Sequence, residues 1–126
     1  MFSTSRNTAV KALRYQQLYQ KERDVYLRLQ SEGVTSVQGA QIPELIDFDD
    51  ELWIVEMKIV SPPFVLDFAG AYLDKAPDWP DDVLLEWQQE KEDQFGADWD
   101  RVRMIMATLS RYGIHLADVK PGNITL

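Results

Sequence analysis

The run Asp118-Val119-Lys120-Pro121-Gly122-Asn123-Ile124 decides how the rest of the chain is read. It sets four different chemistries within six positions. The carboxylate of Asp118 can accept a proton from a hydroxyl. Lys120, two residues on, can meet a phosphate. Pro121 and Gly122 set a tight turn. Asn123, five residues after the aspartate, can offer its amide oxygen to a magnesium ion.

Upstream of this run, Trp99, Val102, Ile105, Met106 and Leu109 recur at helical spacing, predicting an amphipathic helix over 99–112 that Gly113 ends. Residues 74–100 carry ten acids against two lysines, with Pro77 and Pro80, and read as an acidic, partly helical excursion that Trp79, Trp87 and Trp99 can anchor. Further back, Ile42 to Phe48 and Glu51 to Met57 alternate apolar and polar residues about Asp49-Asp50. They predict an antiparallel hairpin with strands near 42–48 and 51–57, Pro43 standing at a strand start or edge. Residues 58–63 form a connector stiffened by Pro62-Pro63, and the apolar stretch 64–73 reads as a short helix.

The N-terminal third gives a strand over 8–13 with one lysine, Lys11, then a helix over 15–30 that ends near Gly33. Leu18, Val25 and Leu29 form its apolar stripe, and Glu22 falls on that same stripe. A carboxylate on the buried side of a helix is costly unless a cation meets it. Lys11 on the preceding strand is the candidate. Residues 31–41 are small and polar, a loop.

Composition narrows the function classes. The 126 residues amount to one domain's worth of chain, and 45% hydrophobic residues with 14 aromatics can build a core. There is no cysteine, hence no disulfide and no thiolate metal site, and a reducing, cytoplasmic setting is the simplest reading. No leader-like apolar region and no membrane-length apolar stretch is visible. The net charge of −8 argues against nucleic acid. It is uneven: residues 1–38 carry +3 and residues 39–126 carry −11, which reads as a solvated acidic surface or as attraction for a basic partner.

Taken in order, a strand with a lysine, a helix with a glutamate, a hairpin, a connector, a helix and D-x-K-P-x-N resemble the central portion of a protein-kinase-like domain. The resemblance covers most of residues 8–126. Ala9-Val10-Lys11-Ala12 is similar to the family's V-A-I-K strand and Glu22 to its helix glutamate. Glu56-Met57 stands where its adenine-binding hinge begins. The resemblance implies an α+β fold. Residues 1–60 would be a partial N-lobe of antiparallel strands and one helix, and residues 61–126 the helical start of a C-lobe. It also implies ATP and Mg2+ as cofactors, with Lys11 and Glu22 at the α- and β-phosphates and Glu56 and Met57 at the adenine. Asp118 would be the catalytic base, Lys120 the γ-phosphate lysine and Asn123 a metal ligand. Lys120 leans towards protein Ser/Thr kinases over small-molecule kinases.

The chain departs from the family at three places. Leu116-Ala117-Asp118 replaces H-R-D, so no arginine prepares a pocket for an activation-loop phosphate. His115 is an ordinary residue at the helix–loop junction. No G-x-G-x-x-G occurs, and the family's D-F-G is expected beyond residue 126. These departures imply a kinase-like fragment or reduced homologue whose complete parent transfers the ATP γ-phosphate to a hydroxyl. The alternative is a non-catalytic kinase-like interaction module with weak or no ATP binding. A third reading is an α+β domain whose Pro-Gly turn only mimics the motif. An open sheet edge at 9–13 and apolar surface left on Val102, Ile105, Met106 and Leu109 imply a protein partner or self-association.

Overall fold

A computed structural model of the protein describes residues 2–66 and 68–126, Phe2 by its backbone only. The architecture is mixed α+β. In chain order the elements are β1 (Phe2–Ser3), β2 (Thr8–Ala12), α1 (Gln16–Ser31), β3 (Ser36–Val37), β4 (Ala40–Gln41), β5 (Leu45–Asp49), β6 (Ile54–Lys58), β7 (Phe64–Val65) and β8 (Tyr72–Leu73). Then follow α2 (Asp81–Phe95), a 3-10 turn (Gly96–Asp98), α3 (Trp99–Ser110), β9 (Ile114–His115) and β10 (Ile124–Thr125).

The first sheet has the order β1-β2-β6-β5, antiparallel throughout. Its register pairs Ala9 with Met57 and Lys11 with Val55, so these four share one face. Helix α1 packs on that face through Val25, Tyr26 and Leu29, and the Tyr26 hydroxyl donates to Met57 Sδ at 3.5 Å. The helix ends where Gly33 takes a φ of 70°, with Val34 N–H on Leu29 O and Gly33 N–H on Gln30 O. A side chain at Gly33 would strain that left-handed backbone, which is why glycine suits this stop.

The hairpin forms as expected, with shifted bounds. Asp49 Oδ1 accepts the N–H groups of Glu51 and Leu52, so the turn spans Asp50 to Trp53 and β6 starts at Ile54. The strand expected from Ile42 begins at Leu45 instead. Residues 31–41, expected to be a plain loop, contain the small β3–β4 hairpin.

Three expectations are corrected by long-range packing. Residues 64–73 are not a short helix: the described residues form β7 and β8 joined by a turn. β7 pairs antiparallel with β10 and parallel with β4, and β8 pairs antiparallel with β9. An apolar run without clear period suits a buried strand as well as a helix, and its antiparallel partners lie some 40 to 60 residues away in sequence. The stripe on α3 is not exposed either. Val102, Ile105 and Leu109 are buried with Val37, Val65, Phe68 and Val119 in one core, and Met106 packs partly buried against it. The β3–β4 hairpin helps cover it, with Gln38 O accepting from Arg101 and Gln38 Nε2 donating to Thr108. Residues 36–41 thus share a sheet with residues 64–65 and 124–125. Finally, β1 pairs with Ala9 and Val10 and so covers the first two residues of the edge expected to be open over 9–13.

Among the described residues no helix is long and apolar enough to cross a membrane.

Candidate functional site

Lys11 and Glu22 meet. Lys11 Nζ stands 3.2 Å from Glu22 Oε1, with the Lys11 side chain 15% exposed and that of Glu22 0%. Glu22 stands on the face of α1 turned to the sheet, because it shares the helical stripe of Val25, Tyr26 and Leu29. Strand alternation turns Lys11 to the same side. A charged pair this deep is costly to build for stability alone.

A cleft of about 290 Å³ opens on the same sheet face. Ala9 and Met57 line it from the sheet, Ile59 and Val60 from the connector, and Phe64 and Leu66 from the β7 segment. Its lining is mainly apolar, as a flat heteroaromatic ring requires. Glu56 does not reach it. One residue from Met57 in a strand, it points to the opposite face, where it accepts from Arg6 at 2.7 and 2.8 Å and from the Thr8 hydroxyl at 2.5 Å. Of the two residues expected at the adenine, only Met57 lines the cleft. A larger cavity of about 490 Å³ lies between the end of α1, β5 and the connector. None of Lys11, Glu22, Asp118, Lys120 or Asn123 lines either cavity, but Ala9 and Met57 of the smaller one lie on the sheet face that carries Lys11.

The C-terminal loop is built as its residue types suggest. Asn123 N–H and Ile124 N–H both donate to Lys120 O, closing the turn around Pro121-Gly122. Asn123 Nδ2 donates to Asp118 O at 3.0 Å, and Asn123 is 7% exposed. Only the amide nitrogen can donate to a carbonyl, so this bond orients the Asn123 side chain and turns its amide oxygen away from Asp118 O. Val119 is buried beneath the loop, whereas Asp118 and Lys120 are exposed. The loop therefore holds its apolar residue and its amide inward and presents both charged side chains outward.

The β7–β8 segment braces this loop from below. Leu66 N–H donates to Asn123 O at 2.7 Å, and Gly70 lies directly against Asp118. Phe68 is fully buried and meets the Tyr26 ring edge-on, with centroids 5.2 Å apart, which ties the segment to α1. No family model, curated protein or solved structure matches the chain. The sequence reading, which expected a helix over 64–73, missed this brace, because its strand partners at 114–115 and 124–125 lie far off in the chain. Asp67 lies outside the described residues.

Two further polar links hold α1 in place. Arg28 forms a two-pronged pair with Asp74 at 2.7 and 3.0 Å and donates to Tyr112 O at 3.3 Å, joining α1 to the end of α3. The guanidinium beside Asp74 lowers its carboxyl below the usual range. Tyr19 donates to Asp50 Oδ1 at 2.5 Å, and burial together with this bond pushes its phenol up to about 12. His115 sits in β9 with Nδ1 3.2 Å from Ser110 Oγ, consistent with an ordinary structural histidine.

Proposed function

We propose that the chain is a kinase-like phosphotransferase domain, or part of one, that holds Mg-ATP between its first sheet and the Asp118–Asn123 loop. The observation that carries this reading is the buried Lys11–Glu22 pair on the sheet face whose neighbours Ala9 and Met57 line the apolar cleft. A lysine fixed on the same sheet face as two residues that line a ring-sized apolar cleft is suited to phosphate oxygens that extend from a purine.

On this reading the adenine lies against Ala9, Met57, Val60 and Leu66. Lys11, oriented by Glu22, meets the α- and β-phosphates. Asp118 takes the proton of the acceptor hydroxyl, and the exposed Lys120 meets the transferred phosphoryl group. Asn123 would offer magnesium an amide oxygen, a hard oxygen ligand of the kind it prefers, and Asp118 keeps its carboxylate for the hydroxyl proton. Among the described residues no group of three or more His, Cys, Asp and Glu gathers into a cage. Magnesium does not need one, because it keeps waters and takes its remaining ligands from phosphate. When bound, it would offset the charge of the phosphate oxygens. A hydroxyl on a protein side chain is the favoured acceptor, from the lysine at position 120.

Calorimetry of Mg-ATP against the wild type and Lys11→Met tests the reading. Binding that Lys11→Met weakens at least tenfold supports it. No Lys11-dependent binding at several millimolar nucleotide, about −3 to −4 kcal/mol, overturns it. Lys11-dependent binding without phosphoryl transfer to any protein acceptor supports the non-catalytic module instead.

A further inference from the structure

We propose that Gly70 is a positioning residue: its missing side chain sets where the carboxylate of Asp118 stands. The inference deepens the phosphotransfer reading and rests on it for its catalytic consequence, while its geometric content stands alone. A Cβ built on Gly70 falls 3.0 Å from Asp118 Cβ, 3.8 Å from Asp118 N and 4.0 Å from Asp118 Cγ. All three nearest atoms belong to one residue. Gly70 does not hold the left-handed backbone that would by itself demand glycine. The demand comes from its neighbour.

Neither backbone can readily retreat. The segment bearing Gly70 is fastened on one side by Val65 paired with Ile124 and on the other by Tyr72 paired with His115. Leu66 N–H on Asn123 O and Ala71 N–H on Phe68 O hold it between these anchors. Ala69 and Ala71 flank Gly70, both buried, so no bulky side chain is available to swing aside. The loop bearing Asp118 hangs from the same strand pairs and from Asn123 Nδ2 on Asp118 O. Asp118 itself is exposed, so an added methyl group at position 70 is relieved by pushing Asp118 outward. A contact of 3.0 Å must lengthen by roughly half an ångström or more to reach ordinary van der Waals distance. A displacement of that order at a general base costs one to two powers of ten in rate.

The test is Gly70→Ala, with Asp118→Gly as a second variant that removes the opposing Cβ. Thermal denaturation reads the geometry without reference to activity. An alanine on a permissive backbone normally leaves Tm unchanged or raises it. Here Gly70→Ala is expected to lower Tm by several degrees, and the double variant Gly70→Ala/Asp118→Gly to show no such loss relative to Asp118→Gly alone. Steady-state kinetics read the function. Gly70→Ala is expected to lower kcat ten- to hundredfold with KM for Mg-ATP within twofold, whereas a general loosening of the fold would move both. If Tm is unchanged in Gly70→Ala, or if Asp118→Gly does not remove the loss, the positioning role is wrong. If the wild type transfers no phosphate, the phosphotransfer reading fails, and the Tm comparison alone decides whether Gly70 places Asp118.

Discussion

Replacing Glu22 with Gln tests the centre of the site most directly. The change keeps the shape and one hydrogen-bond acceptor but removes the charge that faces Lys11. At 3.2 Å the pair attracts by about 5 kcal/mol at an effective dielectric of about 20. Desolvation offsets much of this, because Glu22 is fully buried and Lys11 only 15% exposed. Breaking one side of a buried pair usually costs about 3–5 kcal/mol. The retained amide oxygen and the partial exposure of Lys11 bring the expected loss to the lower limit of that range or just under it, about 2–3 kcal/mol. For a chain of this size that amounts to a Tm lowered by roughly 10 °C. Glu32→Gln is the control, since Glu32 is exposed just past the end of α1 and should change stability by no more than about 0.5 kcal/mol. Urea denaturation followed by tryptophan fluorescence measures both. Lys11→Met should cost more than Glu22→Gln, because Lys11 can lean towards water and Glu22 cannot, and the two changes should be strongly non-additive. Equal losses in Glu22→Gln and Glu32→Gln would refute the reasoning, as would simple additivity with Lys11→Met.

The remaining predictions concern the loop and pH. Asp118→Asn should fold normally, with stability within about 1 kcal/mol of wild type, yet lose phosphotransfer by orders of magnitude; a variant with near wild-type turnover would exclude Asp118 as the base. The Tyr19 phenol, raised to about 12 by burial and by Asp50, favours the neutral form in the fold. Its contribution is complete below pH 10 and is lost as pH rises from 10 through 12, so Tyr19→Phe should flatten the stability profile across that window. Asp74 has the opposite sign: its carboxyl is lowered by Arg28, so its contribution is present above the usual carboxylate range and fades as pH falls below it. Asp74→Asn should remove that acid-side loss, and an unaltered acid limb in urea denaturation would show the pair contributes nothing.

Local pattern determined a good deal of this protein. Helical period placed α1 and α3 within two residues at each end, and alternation about Asp49-Asp50 placed the β5–β6 hairpin. Glu22 was legible because a carboxylate on an apolar stripe demands a cation, and Lys11 was the nearest one on a neighbouring strand. The loop motif was legible because its turn closes within six residues, through Asn123 and Ile124 N–H on Lys120 O. Local reading failed where a residue's partner is remote. Glu56 and Met57 are adjacent in sequence, but strand pairing sends one to Arg6 and the other to the cleft. The stretch 64–73 reads as a helix by composition and becomes two strands only because residues 114–115 and 124–125 supply backbone partners. Gly70, read as part of that helix, has no local signal of its own; only tertiary packing sets Asp118 against it. Periods of 2 and 3.6 are written into neighbouring residues, whereas the choice of strand partner, and with it the face and site each side chain joins, is settled only when distant segments bury their backbone hydrogen bonds together.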